Sequence, residues 1–492
     1  MMASQPTLER KVVELQRYID TNPTPPSSKP KIQRVAEYLR KRENFEKHYI
    51  PRFVSIGPIH HGSTDLELGE KYKLMWAAEY IKKTESILKD LHKKIADNID
   101  TLKDRFSDDV LTLTRKSLDG FGSLEEKLSW ILFVDGCSLL HILEKWKHFE
   151  QEHMTIVMMD VLLLENQLPY EVLKLLWKDD NQSALIESMT NFFNYLHLKR
   201  DDPRLEKEKK GEGQHSVSMP DESLLEPPNH LLDLHRKMIL TASNSKTKEN
   251  KWSQELILRI KSWKWPWELC GKLHRWIGMN SERPSELRTM NSERPSELRT
   301  MNSERPSELR THRNIQDLKA VGIRLKSSNT PSPKDIHFSD GWFTAELTLP
   351  MIIVTDSSAS TFFNLTAYEM CPDFENKYEI CSFVVFMESL IDHPEDVKEL
   401  RSKGILRNKL GSDEEVAHLF NIISTDLRKS GTYNKVSENI HKHYRNKYKN
   451  WIAQRFHTHF SNPWAITAFL AAFIALALTF IQTWFTVNPP RK

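Results

Sequence analysis

Glycine is scarce, with 15 residues in 492, and none falls in a G-x-G-x-x-G or G-x-x-x-x-G-K-[ST] pattern. The backbone cradles that hold dinucleotides or triphosphates are therefore missing, and no nucleotide is expected. Charge of one sign is also lacking, since 70 basic residues against 67 acidic ones leave a net charge of +3. That balance gives no general surface for neutralising phosphates, so no nucleic acid is expected either. The four cysteines, Cys137, Cys270, Cys371 and Cys381, are far apart and form no C-x-x-C. They spell out neither a zinc knuckle nor a disulfide framework, and buried reduced thiols are the expectation. A G-x-S-x-G elbow, a kinase signature set and H-E-x-x-H are absent as well. The residues thus point to no enzyme, no cofactor and no metal.

What is abundant is apolar and aromatic, 39% and 10% of the chain, with 13 Trp and 22 Phe, as a folded protein requires. The longest apolar run lies at 464–487, WAITAFLAAFIALALTFIQTWFTV, 24 residues without a charge. As a helix it is about 36 Å long, enough to cross a bilayer with some tilt. Trp464 and Trp484 sit near its two ends, where indoles favour the headgroup level, and Val487 closes it. Lys442, Arg445, Lys447, Lys449 and Arg455 precede it, against Arg491 and Lys492 after it. The positive-inside rule then places the body in the cytosol, and MMASQPTLERKVVELQRYID has no apolar signal region. With the body in the cytosol, the sequons at Asn181 and Asn364 are chance matches.

The fold class expected is mainly α with a few short strands, a large helical body plus one C-terminal transmembrane helix. Residues 1–30 end in a Pro and Ser cluster and read as a flexible segment. Residues 31–200 read as a helical half. There IQRVAEYLRKR places apolar residues at 32, 35, 36 and 39, and 70–91 repeats that spacing with Leu74, Met75, Ala78 and Ile81. PRFVSIGPIHHG between them reads as an ordered loop or a short strand. Residues 124–178 are the densest apolar stretch and read as two or three buried helices, the last restarting at Pro169.

Residues 201–313 turn polar and include MNSERPSELRT three times, at 279–311. Each unit has one Leu, one Met and a proline, too little to stack a solenoid core, so a flexible insert is expected. HLLDLHRKMIL at 230–240 and the Trp-rich 251–270 are islands within it that could fold. Residues 314–460 read as a second half, with one or two strands in FSDGWFTAELTLPMIIVTD, helices in ASTFFNLTAYEMC and EICSFVVFMESLI, and capped helix starts at HPEDVKEL and GSDEEVAHLF.

Two groups invite a chemical reading. His60 and His61 are adjacent, which points their rings apart, so loop anchoring is favoured over metal binding. Asp160, Glu165, Asn166 and Gln167 follow or end an apolar helix, where capping and buried hydrogen bonds are favoured over a carboxylate base.

The stretches YIPRFVSIGPIHHG, WILFVDGCSLL, MMDVLLLENQLPYEVL, HLLDLHR, IQDLKAVGIRLK, LTLPMIIVTDSSASTFFNLTAYEMC and LIDHPEDVKELRSKGILRNKLGSDEEVAHLFN occur in that order. Together they closely resemble the plant family called domain of unknown function 247. A departure is Ile59, where that family usually has an aromatic residue. The resemblance implies a plant membrane-associated protein with no established reaction and no catalytic residues to carry over. Some of its members in grasses are implicated in pollen self-incompatibility, which implies recognition or signalling. The expected function is a membrane-anchored recognition, signalling or scaffold protein binding membrane lipid and an unknown protein partner. The alternative is a hydrolase-like enzyme with a pocket at His60, His61 or Asp160.

Overall fold

The computed structural model describes residues 7–20, 30–42, 45–145, 151–178, 181–198, 227–241, 314–328, 330–341, 345–374, 378–428, 430–445 and 463–487. The triple repeat, the Trp-rich segment, Cys270, the basic flank beyond Arg445, Arg491 and Lys492 lie outside these residues. Helices predominate, as expected, with five short strands among the described residues.

The N-terminal core is built around one long helix. In chain order come α1 (Thr7–Asp20), α2 (Glu37–Arg40), α3 (Phe45–Tyr49), α4 (Glu67–Lys83), α5 (Leu88–Asp97), α6 (Ile99–Lys103), α7 (Asp108–Lys116) and α8 (Leu124–Lys145). Then follow α9 (Gln151–Asp160), α10 (Tyr170–Leu176) and α11 (Gln182–Leu198). α8 is apolar on nearly every side, and a helix with that pattern must be covered all round. It is buried from Leu124 to Leu143 apart from Glu125, Glu126 and Trp130, beneath α4, α5 and α10. α10 starts one residue after Pro169, which serves as its N-cap.

Two sequence expectations are corrected here. Residues 31–36 are not helical: Ile32 forms an isolated parallel bridge with Phe106, and its N–H donates to Arg105 O at 2.8 Å. Those contacts with a distant segment, absent from local periodicity, leave only the four residues of α2 helical. On α4 the buried face is Gly69, Lys73, Trp76, Ala77 and Tyr80, while Leu74 and Met75 are 54% and 57% exposed. Periodicity missed this because the buried stripe runs through a lysine.

The C-terminal core follows from α12 (Leu231–Thr241), α13 (Ile315–Ala320), β1 (Ile323–Ser327), β2 (His337–Asp340), β3 (Ala345–Leu349) and β4 (Ile352–Val354). α14 (Asp356–Glu369), α15 (Glu379–Leu390), α16 (Pro394–Ser402), β5 (Leu406–Asn408), α17 (Asp413–Ser424) and α18 (Asn434–Arg445) complete it. β3 is the centre of a three-stranded sheet, parallel to β1 with Ile323 opposite Ala345, and antiparallel to β2. β4 and β5 make a separate parallel pair. The capped starts appear where expected, with Ser412 accepting from Glu415 N–H and His393 closing a capping box with Asp396.

The halves interlock. α12 sends Leu231 and Leu234 into the N-terminal core and Leu232 and Leu240 into the C-terminal one. Val35, Leu39, Tyr49 and Leu164 from the first half also pack in the second.

The last helix, α19 (Pro463–Val487), is 25 residues long and contains Trp464, Trp484 and Val487. Its side chains are described at 467 and 471–484, and Phe473, Leu476, Phe480 and Trp484 are all more than half exposed. Counted over the described residues, no helix is long and apolar enough to cross a membrane. The helix is thus shown where the sequence placed it, while the crossing is not shown.

Candidate functional site

The groups singled out in the sequence converge on the loop between α3 and α4. This loop runs without regular structure from Ile50 to Ser63 and is buried from Phe53 to Pro58. Buried backbone must find hydrogen-bond partners, and among the described residues no strand pairs with the loop. Side chains do so instead. Asp160, at the C-terminus of α9, takes the N–H of Arg52 at 3.1 Å on Oδ1 and those of Phe53 and Val54 at 2.7 and 3.0 Å on Oδ2. Asn166 accepts from Ile56 N–H at 2.6 Å and donates to Val54 O and Asp160 O at 3.0 and 2.9 Å. Gln167 donates to Val161 O and Leu163 O and accepts from Leu232 N–H at 3.0 Å, joining the turn after α9 to α12.

Asp135 supports the loop from below. Its Oδ2 accepts from Gly57 N–H at 2.7 Å and its Oδ1 lies 2.7 Å from Lys73 Nζ, both side chains being 1% exposed. Lys73 also reaches Glu70 at 2.9 Å and Ser55 Oγ at 3.0 Å, and Ser55 donates to Glu70. Two glycines permit this packing. Gly57 has φ +82°, and a Cβ there would meet Gln167 O at 2.6 Å. At Gly69 a Cβ would meet Phe53 O at 1.8 Å, so α4 approaches the loop only because that residue has no side chain.

Glu165 completes the arrangement. It accepts from Val35 N–H at 2.7 Å, pairs with Arg40, and lies 3.2 Å from His60 Nε2. Burial alone raises its pKa, but the His60 imidazole beside it, the charge of Arg40 and the Val35 N–H outweigh it and hold the carboxyl below its ordinary value. His61 sits 3.8 Å from Glu70, its pKa lowered by burial against the pull of Asp135. For Asp160 and Asp135 burial is the largest influence and raises both carboxyls, with the three N–H groups and Lys73 opposing it.

The depressed value at Glu165 has a measurable sign. A carboxylate whose pKa falls on folding adds stability that is present above its unfolded value and lost as pH drops through the folded one. Glu165→Gln should therefore cost about 2 kcal/mol near neutral pH, the scale of hydrogen bonds to a charged group. That difference should shrink towards zero below the ordinary carboxylate range, as paired pH-dependent melting curves would show. A difference independent of pH would remove the charge from the explanation.

The site therefore brings His60, His61, Asp160, Glu165, Asn166 and Gln167 around one loop, with each carboxylate engaged by backbone or an ion pair. Lys73, Asp135, Glu70 and Arg40 belong to the same network and were missed in the sequence. Asp135 had a legible signal, a lone acid inside the apolar run WILFVDGCSLL. Among the described residues no group of three metal-ligating side chains comes together. Cys137, Cys371 and Cys381 are buried free thiols, that of Cys137 pushed up to about 12 by burial, far from a reactive thiolate at neutral pH.

A second buried set joins the halves. Asn364 accepts from Leu164 N–H at 2.8 Å and donates to His48 O at 2.7 Å and Ser360 O at 2.8 Å. It is 1% exposed, so this sequon cannot carry a glycan in the folded chain, whereas Asn181 is exposed. Beside it lies a depression lined by Met158, Met159, Leu162, Leu163, Ser357, Ser360, Thr361 and Asn364, with room of about 20 Å³, enough for one water. Ser360 Oγ, on its lining, is 3.0 Å from His48 Nδ1, and that contact is buried.

Comparison with known proteins agrees with the motif resemblance. A putative UPF0481 protein of Arabidopsis thaliana is 23% identical over 497 aligned residues, covering 88% of this chain and 86% of the relative. A further UPF0481 protein of the same plant is 24% identical over 457, covering 89% and 82%. No solved structure matches. Residues 32–478 match the family called domain of unknown function 247, described as plant protein of unknown function, and the chain belongs to that family.

Proposed function

We propose that this chain is a membrane-anchored recognition or scaffold protein, working by binding other proteins and not by catalysis. The observation that carries the reading is α19, whose described apolar side chains face outwards along the helix instead of joining either core. Such a surface is stable against lipid and costly in water. The uncharged sequence from Trp464 to Val487 supports a single span, and the five basic residues before it support a cytosolic body. Against catalysis stands the use of Asp160, Glu165 and Asp135 as backbone acceptors, which is the work of a scaffold. No observation specifically favours the hydrolase alternative at His60, His61 or Asp160.

Alkaline carbonate extraction of plant microsomes tests the anchor, and protease digestion of intact microsomes tests the side. The protein should stay in the pellet, its body should be digested, and Asn181 should be unglycosylated. Release into the supernatant would end the anchored reading. A protected body carrying a glycan at Asn181 would reverse the orientation. Proximity labelling from the native membrane then reads the partners.

A further inference from the structure

α1 belongs to neither core, and its described apolar side chains are bare. Leu8, Val12, Leu15 and Ile19 are 73%, 57%, 62% and 64% exposed, and Val13, beside Val12, is 48% exposed. Leu8, Val12, Leu15 and Ile19, spaced four, three and four residues apart, lie on one stripe of the helix and match the a and d positions of two heptads. The residue types fit those positions one by one. Taking Leu8 and Leu15 as d places Val12 and Ile19 at a, and β-branched residues at a with leucine at d favour two parallel strands.

The charges identify the occupant further. Across 7–20 the acids Glu9, Glu14 and Asp20 balance Arg10, Lys11 and Arg17. A helix lying on an anionic membrane carries an excess of lysine and arginine on its polar side, which this one lacks. In a parallel pair Lys11 at g faces Gln16 at e, so no like charges oppose each other across the seam.

We infer that α1 is a self-association surface, pairing parallel and in register with α1 of a second copy of this chain. Leu8, Val12, Leu15 and Ile19 form the buried seam of that pair. Two heptads make a short helix pair, so the association depends on protein concentration.

The full-length chain in mild detergent, with Cys270→Ser to remove a background thiol, carries the test. Leu15→Cys at the seam should cross-link to a dimer under mild oxidation at least ten-fold more than Arg17→Cys at position f, on the far side of the helix. Light scattering should give a mass that rises towards a dimer with concentration, and Val12→Asp with Leu15→Asp should hold it at one chain. That double variant should melt like the parent, because the face lies outside both cores. A single-chain mass at every concentration would overturn the inference. So would equal cross-linking at 15 and 17, the result expected from crowding in a micelle or from a face that meets lipid.

Discussion

Asp135→Ala should destabilise the body by about 3 kcal/mol or more, the usual loss when one member of a buried ion pair is removed. Its carboxylate is the nearest partner of Lys73, a lysine 1% exposed, and it also takes the Gly57 N–H. Glu70 and Ser55 keep some hold on the ammonium, which places the loss towards the lower end of the range. Removing both charges tests the assignment more sharply. Lys73→Met with Asp135→Leu should recover the part of the loss that comes from the unpaired ammonium, about 1 to 2 kcal/mol, and the unpaired Gly57 N–H keeps the remainder. Chemical denaturation of the three variants in detergent reads the cycle. A loss below 1 kcal/mol for Asp135→Ala, or a double variant no better than the single one, would show that the pair does not hold the loop.

Asp160→Ala should be comparably severe for a different reason. No cation faces this carboxylate at pairing distance among the described residues; three backbone N–H groups do. Each buried donor left without an acceptor costs about 1 to 3 kcal/mol; Phe53 and Val54 are buried while Arg52 is exposed, so a combined loss of about 3 kcal/mol comes from those two. Asp160→Asn retains one acceptor oxygen and should fall between alanine and the parent. A general base behaves otherwise, since replacing it removes turnover and leaves the melting temperature alone or raises it. Melting curves ordered parent, asparagine, alanine support the acceptor role. Three coincident curves would reopen the alternative.

The parts of this fold that could be read in the sequence are those whose cause is local. α8 declared itself by an apolar run too long for a half-exposed helix, α10 by Pro169, α16 and α17 by their caps. The proposal that Asp160, Glu165, Asn166 and Gln167 are structural partners was also legible, since four polar groups at the edge of an apolar run must be satisfied on burial. What they satisfy was not. Val35 N–H meets Glu165 across 130 positions of chain and Ile56 meets Asn166 across 110, and no window of periodicity contains both ends. The same distance effect hid the extended backbone at Ile32. It also hid β1 and β5, whose partners β3 and β4 are supplied from elsewhere in the chain. The face of α4 was misread because Lys73 is a core residue only in the presence of Asp135.

The Asn364 junction has a consequence for how the chain is made. Leu164 N–H waits for an acceptor that lies 200 residues further along, and His48 O for a donor 316 residues away. At about 5 to 20 residues per second, the first of those gaps takes some 10 to 40 seconds of translation. Through that interval the nascent N-terminal half has its apolar helices but not the groups that close its open side. A ribosome-bound chain halted before Asn364 should therefore depend on chaperones, and one halted well beyond Arg445 much less so. The polar residues that make the finished fold unique also set the moment in synthesis at which it can first be complete.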